Sequence, residues 1–75
     1  MDLSSLDDQQ IRRFVGERIR AYRLARGLSQ EELATKAGLS VSYISMLERG
    51  QRTPPLDTLE ALAEALAMNP TLLIS

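Results

Sequence analysis

Residues 29–50 run SQEELATKAGLSVSYISMLERG, and their reading decides the fold. Ser29 is a favoured N-cap, and Glu32 three residues later completes a capping box, so a helix is expected to begin at Gln30. Leu33, Ala34 and Ala37 give it an apolar side, and Gly38 stops it, because glycine enters the left-handed C' conformation without a Cβ penalty. Ser40 then caps a second helix whose apolar positions Ile44 and Leu47 sit three apart, closed in turn by Gly50. Helices this short do not stand alone in water and must be packed on one another and on further elements. In a twenty-residue frame starting at Gln30, Ala34, Gly38 and Ile44 take the fifth, ninth and fifteenth places. The small residue lets the helices approach, the glycine turns the chain and the isoleucine plugs the core between them. That is the requirement of a helix-turn-helix unit.

Working outward, residues 9–26 carry Ile11, Phe14, Val15, Ile19 and Tyr22 at helical spacing, with Gly27 ending the helix and Leu28 pointing inward. Residues 1–8 are expected to be an arm or a frayed first turn, with Ser4, Ser5, Asp7 and Asp8 as candidate caps, leaving 9–75 as one domain. After Gly50, the segment Gln51-Arg52-Thr53-Pro54-Pro55 is an exposed loop, since proline biases its predecessor to extended geometry. A further helix starts at Leu56 or Asp57 and places Leu59, Leu62, Ala63 and Leu66 on one stripe. Asn69-Pro70 then caps and opens a last short helix with Leu72, Leu73 and Ile74. The expectation is an all-α, compact five-helix bundle centred on Leu28, Leu33, Ala34, Ile44, Leu47, Leu56, Leu59, Ala63 and Leu66, closed by Val15 and Ile19.

The 75 residues contain no Cys, no His and no Trp, which removes disulfides, thiolate metal sites and the commonest general base. One lysine, Lys36, and exposed carboxylates and serines without a pocket make an enzyme the weakest reading, and no cofactor, metal or small-molecule ligand is expected. No signal peptide or membrane-length apolar run is present, which points to a cytoplasmic protein. The net charge of -1 conceals a segregation. All nine basic residues lie between Arg12 and Arg52 with only four acids among them, giving +5, whereas the flanks carry six acids and no base. A basic middle that brackets the two-helix unit suits a polyanionic partner, double-stranded DNA.

The segments Val15-Gly16-Glu17-Arg18-Ile19-Arg20, 27–34 (GLSQEELA), 43–50 (YISMLERG) and 59–66 (LEALAEAL) closely resemble the Cro/C1-type helix-turn-helix regulators, the XRE family. The likeness spans about residues 13–73. It implies a lambda-repressor-like DNA-binding domain, a homodimer on a pseudo-palindromic operator and transcriptional regulation. Stand-alone members include restriction-modification controller proteins, some phage repressors and antitoxins. With no residues left for an effector domain, control is expected through the protein's own concentration. The competing reading is a protein-interaction module, or an antitoxin-type partner, that keeps the fold with weak or no DNA binding.

In such a unit the second helix enters the major groove and presents its N-terminal residues to base edges. Ser40, Val41, Ser42, Ser45 and Met46 are the outward positions and hence the base-reading candidates. They include no Gln, Asn or Arg, the usual bidentate readers of adenine and guanine, so selectivity is expected to draw on DNA shape and half-site spacing. Gln30, at a helix N-terminus where the family pattern makes it a backbone clamp, joins Tyr43, Arg49, Gln51, Arg52 and Thr53 as phosphate-binding candidates. Arg23 and Glu48 fall on apolar faces and would each cost several kcal/mol if buried alone, so they are expected to pair. Family members carry such a pair. Met68, Leu73 and Ile74 are the candidate dimer interface, with Leu72 assigned to the core.

Overall fold

The computed structural model describes residues 7–75; the expected arm, with Ser4 and Ser5, lies outside the described residues apart from its last two positions. Helix α1 spans Asp8–Ala25, α2 Gln30–Ala37, α3 Val41–Glu48 and α4 Leu56–Ala65, followed by a 3₁₀ turn over Pro70–Leu73. The described residues contain no strand.

Each boundary has a local cause. Asp7 accepts the Gln10 backbone N–H at 2.8 Å while the Gln10 side chain accepts the Asp7 N–H at 2.9 Å, so α1 starts in a capping box. Ser29 and Glu32 repeat that arrangement at the start of α2. Gly38, at φ 70°, ends α2 in the left-handed region and lets the Leu39 N–H reach back to the Ala34 carbonyl. Ser40 Oγ accepts the Tyr43 N–H at 3.1 Å and opens α3 two residues later. The α2–turn–α3 unit is thus specified by its own sequence at every corner.

α1 packs across α3, α2 lies against α3 and α4, and the 3₁₀ turn closes the bottom of α4 and α1. Val15, Ile19, Leu33, Ala34, Ile44, Leu47, Leu62, Ala63, Leu66 and Leu73 are buried between them. Fully burying a side chain of the Leu or Ile kind contributes about 1.5–3 kcal/mol, so this cluster is the main cohesive element. α1 approaches α3 closely at Gly16, where an added Cβ would stand 2.2 Å from the Leu47 carbonyl oxygen. Leu28 and Leu59, expected at the centre, are half-buried at its margin.

Four expectations need correction, all in the C-terminal part. Among the described residues four α-helices form rather than five, because the last element is held by i→i+3 bonds, Leu72 N–H to Asn69 O and Ile74 N–H to Thr71 O. Asn69 does cap it, accepting the Thr71 N–H at 3.0 Å. Three residues per turn place Pro70 and Leu73 on one face. Leu73 is therefore fully buried and is no interface residue, while Leu72, assigned to the core, is 43% exposed. Leu56, also assigned to the core, is 71% exposed: it is the first residue of α4, one turn ahead of half-buried Leu59 and before the buried Leu62 and Ala63.

Candidate nucleic-acid interface

The outer side of α3 is built from what its inner side leaves over. Ile44 and Leu47 point into the core, which turns Val41, Ser42, Ser45 and Met46 outward. These four, together with Gln30 from the start of α2 and Arg49 from the end of α3, line one open cleft. The structure thus joins four of the five expected base-reading residues to two of the expected phosphate ligands. Ser40 is exposed just outside the cleft, its oxygen committed to the cap while its hydroxyl hydrogen stays free. Ser42 is exposed, and Ser45 and Met46 are half-buried in the cleft wall.

The remaining polar candidates sit apart from that cleft. Gln51, Arg52 and Thr53 are exposed on the loop that follows Gly50. Tyr43 packs against the core and is half-buried. The Arg49 Nε–H donates to the Ser45 carbonyl at 3.3 Å, which lays the guanidinium along the last turn of α3.

Beneath the cleft lies a buried polar junction. Arg23 donates from Nε to Glu48 Oε2 at 2.7 Å and from Nη2 to Glu48 Oε1 at 3.0 Å, a bidentate fork, while Nη1 donates to the Leu28 carbonyl at 2.8 Å. Their side chains are 9% and 3% exposed. The carboxylate hydrogen bond raises the Arg23 pKa above its ordinary value against the opposing effect of burial, so the cation is held charged. Glu48 Oε1 also accepts from Gln30 Nε2 at 3.1 Å. Because a carboxylate so paired only accepts, the Gln30 amide must turn its NH₂ toward Glu48. One hydrogen of that group remains for a ligand above the cleft. The ends of α1, α2 and α3 are therefore locked together at one carboxylate.

Two contributors were missed from sequence. Gly16 makes the α1–α3 contact possible, and its signal was present, since a glycine inside a helical pattern commonly marks a close approach. Arg12 donates from Nε to the Gly50 carbonyl at 3.3 Å, which links α1 to the loop after α3 across 38 residues. No local signal announces such a contact. Among the described residues no group of His, Cys, Asp or Glu is arranged to hold a metal ion, and no helix is long and apolar enough to cross a membrane. The site offers hydroxyls, an amide, a thioether, methyl groups and guanidinium groups on a convex helix, which is equipment for recognition.

The helix-turn-helix family profile matches residues 19–73. The immunity repressor protein of Bacillus phage phi105 is 52% identical over 54 residues, covering 72% of this chain and 38% of that protein. Control protein C.BamHI of Bacillus amyloliquefaciens is 41% identical over 61 residues, covering 80% of this chain and 75% of the relative. Among solved structures, the restriction-modification controller protein C.AhdI from Aeromonas hydrophila superposes with a TM-score of 0.81 at 45% identity, over 83% of this chain and 94% of that one.

Proposed function

The chain belongs to the helix-turn-helix (XRE) family of transcriptional regulators, and we propose that it works as a homodimer that places α3 of each protomer in the major groove of a pseudo-palindromic operator. The observation that carries this reading is the single cleft in which Gln30 and Arg49 flank Val41, Ser42, Ser45 and Met46. Phosphate-directed groups stand at the rim and base-directed groups on the helix between them, the division of labour that a groove-reading helix needs. Ser40, Ser42 and Ser45 offer hydroxyls to base edges, and Val41 and Met46 offer apolar contact to a thymine methyl. Gln30 gives its free amide hydrogen to a phosphate, with Tyr43, Arg49, Gln51, Arg52 and Thr53 on the same backbone.

The dimer surface in this reading is built from half-buried Met68 and the exposed apolar residues Leu72 and Ile74. A two-fold axis there sets two recognition helices about one DNA turn, roughly 34 Å, apart. Likeness to control proteins and to a phage immunity repressor supports a regulator governed by its own concentration in the cytoplasm, since dimerisation makes occupancy steep.

Gel-shift titration on genomic fragments at two salt concentrations tests the reading. A steep salt slope with one sharply preferred fragment supports it, and Gln30→Ala or Arg49→Ala then weakens binding more than Ser42→Ala. Absence of binding at low salt would leave a protein-interaction module. Light scattering that finds only monomer at high micromolar concentration would remove the dimer.

A further inference from the structure

Arg23–Glu48 is the one ion pair between side chains of the described residues, so the other arginines there lack an Asp or Glu of those residues within bonding distance. For most of them this is the ordinary state of an exposed cation. Arg12 and Arg18 are half-buried, but Arg18 donates to a Ser75 oxygen and lies over the Phe14 ring, whereas the Arg12 Nε–H is spent on the Gly50 carbonyl at 3.3 Å. Fixing Nε in that way leaves the Nη groups of a partly desolvated guanidinium without a carboxylate partner among the described residues. Arg13 lies against the same turn, since a Cβ on Gly50 would meet its Cγ at 2.8 Å. The loop that leaves this turn carries Gln51, Arg52 and Thr53, and Arg49 precedes it. α1 reaches the turn because the Asp7–Gln10 capping box extends the helix well before its buried stretch at Val15.

We propose that Arg12 and Arg13 of α1 form an additional phosphate-binding site, continuous with the loop after Gly50, that grips the DNA backbone from outside the helix-turn-helix unit. The inference rests on the DNA-binding reading given above. Its chemistry is that of a guanidinium fork on a phosphate. A planar fork already seated by one backbone hydrogen bond loses little rotamer freedom when it takes two oxygens. The contact carries no sequence information, so it acts equally on preferred and unrelated DNA.

The test is the salt dependence of binding to a mixed-sequence duplex by wild type, the double variant Arg12→Gln/Arg13→Gln and the control Arg20→Gln. Arg20 is exposed on α1 beside Glu17, Ala21 and Leu24, away from the Gly50 turn. Each lost phosphate contact lowers the slope of log K against log salt by about 0.9, so the double variant should lose about 1.8 and Arg20→Gln close to none. An unchanged slope in the double variant, or an equal loss per charge in Arg20→Gln, overturns the site while leaving DNA binding intact. A wild-type chain that does not bind at low salt defeats the regulatory reading itself. Should the double variant fail to fold, the arginine Nε–H resonances of the wild-type protein decide: titrated duplex must shift those of Arg12 and Arg13 and leave Arg20 in place. Unmoved Arg12 and Arg13 signals in a bound complex refute the proposal.

Discussion

The α2–α3 edge and the C-terminal edge formed by α4 with the 3₁₀ turn are built on opposite terms. At the first, every turn is closed by a side chain or a glycine: Ser29 with Glu32, Gly38, Ser40. Beneath it, one carboxylate ties three helices. At the second, α4 begins without a side-chain cap at Pro55, and the chain turns through Ala67 at a positive φ of 55°. Its corner is held from outside by the Arg26 Nε–H donating to the Leu66 carbonyl. Leu56, Leu72 and Ile74 stay in solvent. An edge stiffened by polar closure suits a ligand that demands fixed geometry. An edge left apolar suits another protein surface.

The largest effect that can break this contrast is at Glu48. Glu48→Ala leaves Arg23 buried, 7% exposed, without its anion, and removing one partner of such a pair costs about 3–5 kcal/mol. Urea unfolding followed by far-UV circular dichroism should show that loss in Glu48→Ala and a comparable one in Arg23→Ala. The double variant should lose less than the two together. If all three unfold with the wild type, the junction is decorative and the edges do not differ in the way described.

The same contrast explains what was legible in the sequence. Around α2 and α3 the expected boundaries and the burial of Ala34, Ile44 and Leu47 agree with the structure, because capping residues and glycines fix the register within a few residues of themselves. The Arg23–Glu48 pair was expected because two charges fell on apolar stripes. The C-terminal edge misled because nothing in the triplet Leu72-Leu73-Ile74 marks which residue faces inward, and the three-residue period of the last turn puts Leu73 there. The Gln30–Glu48 and Arg12–Gly50 bonds join residues 18 and 38 positions apart and have no local signature.

Leu73→Ala against Leu72→Ala sharpens the second edge. Emptying a fully buried leucine costs about 2–5 kcal/mol, whereas an exposed one costs within about 0.5. Leu72→Ala should therefore melt with the wild type and weaken self-association in sedimentation experiments. Leu73→Ala should melt early. Equal melting of the two would return the last element to α-helical register.

Gly16→Ala probes the first edge from beneath and should cost about 1–3 kcal/mol, the usual penalty of overpacking. The new methyl meets backbone at Leu47 and Glu48 rather than a movable side chain, so relief requires α1 to lift from α3. Thermal melting measures the loss. The accompanying loss of DNA affinity should exceed that of Leu72→Ala, since a lifted α1 disturbs the Arg23 fork.

The smallest effect separates two capping boxes of the same design. In α1 the reciprocal acceptor is Gln10, whose amide does not ionise; in α2 it is Glu32, whose carboxylate accepts the Ser29 backbone N–H at 2.9 Å. That hydrogen bond holds the Glu32 carboxyl below the usual carboxylate range. A carboxyl depressed in the folded state adds stability that is complete above its unfolded pKa, about 4.3, and is lost as pH falls through the folded value. Glu32→Gln keeps the reciprocal bond and removes the charge, so its melting temperature should lie slightly below that of the wild type at neutral pH and converge with it in acid. Glu32 is fully exposed, so the gap should also shrink with added salt. A gap that persists unchanged below pH 3 would mean that Glu32 acts through shape rather than charge, and the two boxes would then be equivalent.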